Sequence, residues 1–190
     1  MVILVKKRQA RIRLLDFEDA STLARLVQSN ADYLRPWEPA RDARFYTEEG
    51  QLRLARSLLE AHERGTTVPF VIEHEDGTVL GRLTLNGVIR GAFQSCALSY
   101  WVRAAYAGQG HATRAVLDAV DYAFLELALH RVQAETLLDN EASQRVLQKT
   151  GFQQFGVAKN YLCINGKWRD HMLFSALILG SDAPSYFWVV

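Results

Sequence analysis

Two short segments carry the residue types and spacings with most chemical content. The first is Gly108-Gln109-Gly110-His111-Ala112-Thr113, which leads into a helical pattern. Glycine lets a backbone turn and approach a ligand without a Cβ. The first N–H groups of the helix have no internal partners, and the helix dipole is positive at that end. The combination suits an anion such as a pyrophosphate, although a pair of glycines before a helix also makes an ordinary tight turn. There is no Gly-Lys-Ser/Thr and no third glycine, so it is neither a P-loop nor a dinucleotide fingerprint. The second segment is Asn140-Glu141-Ala142-Ser143. Asn140 is either a helix cap or a hydrogen-bonding ligand contact, and Ser143 either a first-turn polar residue or a proton donor.

Acid and base candidates are scattered. Glu38 sits in a proline-containing loop, as a solvated acid or as a contact for a cationic amine. Asp170 and His171 share a strand-like run in which His171 could equally be a satisfied core histidine. The alternation of one strand leaves the direction of Glu135 open. Trp37, Tyr161 and Trp168 either line a substrate groove or pack under loops. No metal site is expected.

The elements that must position these residues follow from periodicity. Ala10 to Leu15 alternates as a strand, and Asp16 is read as the cap of a helix burying Ala20, Leu23, Ala24 and Val27. Asn30 to Phe45 has two prolines and no clean period, which predicts a loop or broken helix. Thr47, followed by Glu48 and Glu49, opens a helix towards Gly65. Val68 to Glu75, Thr78 to Ile89 and Ala92 to Arg103 read as an antiparallel meander, with Asp76-Gly77 as the first hairpin turn. Ala112, Ala115, Val116, Ala119, Val120, Ala123, Phe124 and Leu127 then fall at three- and four-residue steps, the clearest helix in the chain. Arg131 to Leu138 is a strand, Asn140 to Thr150 a helix stopped at Gly151, and Phe152 to Ile164 with Trp168 to Leu179 a hairpin around Asn165-Gly166. The strand–helix–strand passage requires a parallel pair. The expected class is α+β: a mixed, mostly antiparallel sheet of six to seven strands, about four helices and one central parallel pair.

The 190 residues, with 49% hydrophobic and 23% charged and a net charge of +1, fit a single domain with a sizeable core. The charge balance gives no reason to expect a nucleic acid or a membrane surface as partner. Met1 to Lys7 has apolar residues before charges, the reverse of a secretory signal, and no run reaches the roughly 20 residues that span a bilayer. The expected location is the cytoplasm. Cys96 and Cys163, each within an apolar run, are expected as reduced, buried thiols. The aromatic tail Tyr186-Phe187-Trp188-Val189-Val190 is expected to pack on its own domain or a partner subunit.

Set in this order, the segments resemble the GNAT acetyltransferases, and among them the RimJ/RimL-type enzymes. The glycine loop after Ser99-Tyr100-Trp101-Val102 is similar to the family's Gln/Arg-x-x-Gly-x-Gly/Ala pattern over Ala107 to Ala112, with Ala107 in place of Gln/Arg. Tyr33-Leu34-Arg35-Pro36-Trp37-Glu38-Pro39 resembles the acceptor-side segment. Leu129-His130-Arg131-Val132, Asn140 to Leu147 with Gly151-Phe152, and Tyr161 to His171 match later blocks. The resemblance covers about 10–179 of one domain spanning 1–190, and leaves 180–190 as a tail.

The resemblance implies acetyl-coenzyme A as co-substrate and direct attack by an amine. The cofactor would be held by Trp101, Val102, Gly108, Gln109, Gly110, His111, Ala112, Thr113 and Asn140. It implies an oxyanion donor near Val102, Ser143 as general acid, and acceptor contacts from Trp37, Glu38, Tyr161, Trp168 and Asp170. Where RimL-type enzymes carry their base this chain has Leu162. The implied acceptor is a protein N-terminus, that of a ribosomal protein, for a monomer or homodimer. The alternatives are a small-molecule amine as acceptor, or a non-catalytic coenzyme A-binding module.

Overall fold

The computed structural model describes residues 11–178; the first residue of the expected opening strand, the end of the expected closing one and the aromatic tail lie outside them. In chain order the elements are β1 (Arg11–Leu14), α1 (Asp19–Ser29), α2 (Ala31–Leu34), α3 (Glu48–Glu63), β2 (Thr67–Glu73), β3 (Val79–Ile89), β4 (Ser95–Val102), α4 (His111–Leu125), β5 (Arg131–Leu137), α5 (Glu141–Lys149), β6 (Gln153–Ile164) and β7 (Lys167–Leu177). Single 3₁₀ turns cover Ala43–Tyr46 and Ala104–Tyr106. The strands form one seven-stranded sheet in the order β1-β2-β3-β4-β5-β7-β6. All its pairings are antiparallel except β4 with β5.

The two hairpin signals act through their turn chemistry. Gly77 has φ 85°, and Asp76 accepts the Thr78 N–H at 2.8 Å. Asn165 and Gly166 both have positive φ, 47° and 77°, as a two-residue turn with right-handed strand twist requires. Thr47 caps α3 by accepting the Gly50 N–H at 3.1 Å. Asp16, expected to cap the first helix, does not. It accepts the Glu18 N–H, and α1 begins three residues later at Asp19, whose own carboxylate takes the Asp16 N–H at 2.8 Å. Asp19 is drawn inward because Arg13 of β1 grips it with two nitrogens, at 2.6 and 2.8 Å.

Alternation along the strands divides the core in two. Phe70, Ile72, Leu83, Leu85, Leu98, Val102, Val132, Ala134 and Phe174 pack under α4. Val71 and Trp101 face the other way, with Leu23, Val27 and Leu34 of the first helices and Ala55 of α3. Cys96 belongs to the first core, and burial pushes its thiol up to about 12. Cys163 is exposed, not buried as expected; it lies on β6, the edge strand of the sheet among the described residues.

Candidate active site

The site begins where the parallel pair fails. β4 and β5 stay in register only through Ser95↔Arg131, Cys96↔Val132 and Ala97↔Gln133. Beyond Ala97 the strands splay, and a cleft of about 600 Å³ opens through the breach. β4 remains zipped to β3 on its other side as far as Gly81↔Val102, and the Arg103 N–H donates to the Leu80 carbonyl. Ladder N–H groups alternate in direction, so those of Leu98, Tyr100 and Val102 point away from β3 and into the breach. Gly81 permits this close zipping: a Cβ there would lie 2.0 Å from the Trp101 carbonyl oxygen.

One mouth of the breach lies on the α4 side. Gly108 and Gly110 hold φ of 74° and 88°, a conformation that favours glycine, with nothing within 4 Å of either missing Cβ. The constraint is conformational, not steric. Arg114 closes the first helical bond to the Gly110 carbonyl, and α4 has no side-chain cap, so the N–H groups of His111, Ala112 and Thr113 remain available. The His111 ring is 4% exposed and wedges the helix start between His74 and Tyr106, at 5.7 and 5.6 Å. Gln109 turns its side chain back to the Ala105 carbonyl. Of the loop residues, Gly108, His111 and Ala112 line the cleft; Gln109, Gly110 and Thr113 do not.

Opposite the loop, Asn140 caps α5 by accepting the Ser143 N–H at 3.1 Å. That leaves its amide N–H₂ without a partner among the described residues and at the cleft wall. The cap reading of Asn140 holds, and the cap leaves its amide free for the contact that the other reading would need. The Ser143 hydroxyl is 2.9 Å from the Tyr100 hydroxyl, and burial raises the Tyr100 phenol to about 12, against the pull of its bond to Ser143. Tyr100 was missed in the sequence because only the β3–β4 register shows that it faces α5 rather than solvent.

The other mouth lies on the side of the first helices. Trp37 and Glu38 line it, with Arg82, Thr84 and Ser99 from the sheet and Glu135 and His171 from β5 and β7. The pairings Val71↔Arg82, Arg82↔Trp101 and Leu137↔His171 put these side chains on one face. Glu135 thus points into the cleft, and burial holds its carboxyl above the usual range. Burial likewise raises Glu38, against opposing fields from Arg41 and Arg82.

Three expected acceptor contacts are not part of the cleft lining. Asp170 binds Lys159 at 2.6 Å and the Asn160 N–H at 3.0 Å, pinning an irregular stretch of β6 between Ala158 and Leu162. Those bonds hold its carboxyl below the usual range. Trp168 is 64% exposed, and the Tyr161 ring lies tilted beside His171, 5.7 Å between centroids, where burial and then the Glu135 charge raise its phenol. None of the three lines the cleft. They sit on a hairpin that reaches the cleft instead through Leu162, Cys163 and Ile164.

Comparison with known proteins agrees with this geometry. Residues 10–153 match the acetyltransferase (GNAT) domain family. The chain belongs to that family. The chain is 34% identical over 164 residues to the [ribosomal protein uS5]-alanine N-acetyltransferase of Escherichia coli, which covers 85% of it and 84% of that protein. The crystal structure of the ribosomal-protein-S5-alanine acetyltransferase from Vibrio fischeri superposes with TM-score 0.83 at 35% identity, over 87% of this chain and 91% of that one. Mycobacterium smegmatis RimJ in complex with CoA-disulfide superposes with TM-score 0.85 at 33% identity, over 88% and 81%. The chain is thus an N-acetyltransferase of the RimJ/RimL type, and the seven-stranded sheet with its parallel pair is the GNAT fold.

Proposed function

We propose that this enzyme transfers acetyl from acetyl-coenzyme A to a protein N-terminal α-amine, that of a ribosomal protein, with both substrates bound together. The breach between β4 and β5 carries the reading, because it joins an anion-binding mouth on one face of the sheet to a carboxylate-lined mouth on the other. The residues fit the co-substrate. The uncapped N–H groups of His111, Ala112 and Thr113 suit its pyrophosphate, and the free amide of Asn140 suits a carbonyl of its arm. Acetyl-coenzyme A supplies an activated acetyl thioester.

The chain's own groups do the rest. The Val102 N–H is aimed where it can donate to a carbonyl oxygen seated in the breach. Glu135 is positioned to take the proton the amine loses. Ser143, supported by Tyr100, can donate a proton towards the leaving sulfur. The Tyr100 phenol alone is too weak an acid to give up its proton fully to a thiolate whose conjugate acid lies near about 8.5, so the pair acts mainly by hydrogen bonding.

The α-amine preference follows from the strength of that base. Only a neutral amine attacks. With an α-amino pKa of about 7.8, roughly a third is neutral at pH 7.5, whereas a lysine near about 10.4 is roughly 0.1% neutral, a handicap of about 3.5 kcal/mol. A carboxylate, even one raised by burial, is a weak base for that task. The test uses two peptides of one sequence, one with a free N-terminus and no lysine, the other N-terminally blocked with one lysine. Acetylation followed by mass is expected on the first. An equal or higher kcat/KM on the blocked peptide, or acetylation of small amines alone, would overturn the reading.

A further inference from the structure

Resting on the acetyl-transfer reading, we propose that the acceptor presents a carboxylate close to its reacting amine, and that Arg82 recognises it. Arg82 projects from the middle of β3 into the acceptor mouth, on the face it shares with Val71 and Trp101. Among the described residues its guanidinium makes no hydrogen bond and no ion pair. Five N–H donors in a fixed planar fork are thereby left facing a cleft, an arrangement suited to a carboxylate, which such a fork binds with two parallel bonds.

The neighbours do not already use that capacity. Glu38 is near enough to feel both Arg82 and Arg41, yet its carboxyl remains raised because burial outweighs both guanidinium fields. Neither arginine comes within 4.0 Å of it as an ion pair among the described residues. Arg41 is engaged on the Phe45 ring, 4.7 Å from its centroid. Glu38, Arg41 and Arg82 together leave this wall with one positive charge in excess. Burial lowers Arg82 to about 10, so it is charged at neutral pH.

The facing wall has the opposite sign. Glu135 makes no hydrogen bond or ion pair among the described residues, and His171 spends its Nδ1 on the Arg169 carbonyl. The mouth is therefore a dipole: a carboxylate for the ammonium end of the acceptor and a guanidinium for an anionic group beyond it. A carboxylate on the acceptor could be the acidic side chain of an early peptide residue or the α-carboxylate of a free amino acid.

The experiment pairs peptides with Glu at the second, third or fourth position against the same peptides with Gln there, and adds free alanine as acceptor. Wild type and Arg82→Gln are compared by kcat/KM and by calorimetric peptide affinity. At one position the Glu peptide is expected to be favoured at least tenfold, chiefly through KM, and Arg82→Gln to abolish the preference while acetyl-coenzyme A affinity stays the same. Free alanine outperforming every peptide, and losing that advantage in Arg82→Gln, would support Arg82 with an amino acid as the carboxylate source. Equal wild-type affinities for Glu and Gln peptides with no advantage for free alanine, or a preference that survives Arg82→Gln, would overturn the inference. Affinity is read without turnover, so a chain that acetylated no acceptor would refute the function while the binding comparison still decided the role of Arg82.

Discussion

The chemistry at single residues rests on three side chains that burial has moved or tethered. Glu135 has its carboxyl raised by burial alone, so the proton it must shed before acting as a base leaves later than from an exposed glutamate. The sign follows directly. As pH rises through the elevated Glu135 value, the fraction of competent base grows, and kcat/KM should climb with a limb displaced above the ordinary carboxylate range of about 4.3. Glu135→Gln should remove that limb and lower kcat by about 10²–10⁴-fold; a variant with the wild-type profile would exclude Glu135 as the base. Ser143 and Tyr100 are coupled through a 2.9 Å bond, so their losses should not add. Ser143→Ala should lower kcat by about 10²–10⁴-fold, less if water substitutes, and Tyr100→Phe in the Ser143→Ala background should cost little more. Steady-state kinetics of the double variant checks this, and strictly multiplicative losses would mean that the two hydroxyls act independently.

At the scale of elements, what the sequence disclosed depended on whether the signal was local. The glycine loop, Asn140, Thr47 and both hairpin turns act within a few residues of themselves, and each took the local turn or cap geometry read for it. Asp16 failed as a cap because the winning interaction is not local: Arg13 on β1 bridges Asp19 on α1 and Glu73 on β2, with Arg13 Nε 2.5 Å from Glu73. Glu135, Tyr100 and Arg82 were illegible for a related reason. The direction of a strand side chain is fixed by cross-strand register, which no single strand contains. The start of α4 yields the clearest element-scale test. Ala112→Asp places a negative charge and extra bulk beside the open N–H groups that would hold a pyrophosphate. It should weaken acetyl-coenzyme A binding by more than the about 1.4 kcal/mol that makes a tenfold change. An isolated helix would tolerate or welcome an acid in its first turn, so the variant should keep its thermal stability. Unchanged calorimetric affinity would remove the loop from the site.

The molecule as a whole places its two candidate mouths on opposite faces of one sheet, joined where β4 and β5 part. That arrangement favours bringing the amine and the thioester together over passing the acetyl group through the protein. The rival route would need a nucleophile in the breach. Cys163 is the only thiol at the cleft wall among the described residues, but it sits on β6, the edge strand three places from β4 in the sheet. Cys96 is buried in the other core, and burial holds its thiol well above the range where a thiolate forms. Neither is placed as a relay would require. Initial-rate lines for acetyl-coenzyme A and peptide should therefore intersect, not run parallel. Incubation with acetyl-coenzyme A alone should leave the protein mass unchanged, and Cys163→Ser should retain turnover within about twofold, under 0.5 kcal/mol of barrier. Parallel lines with an acetylated Cys163 peptide would mean that the acetyl group pauses on the protein, and that the breach serves two half-reactions in place of one direct transfer.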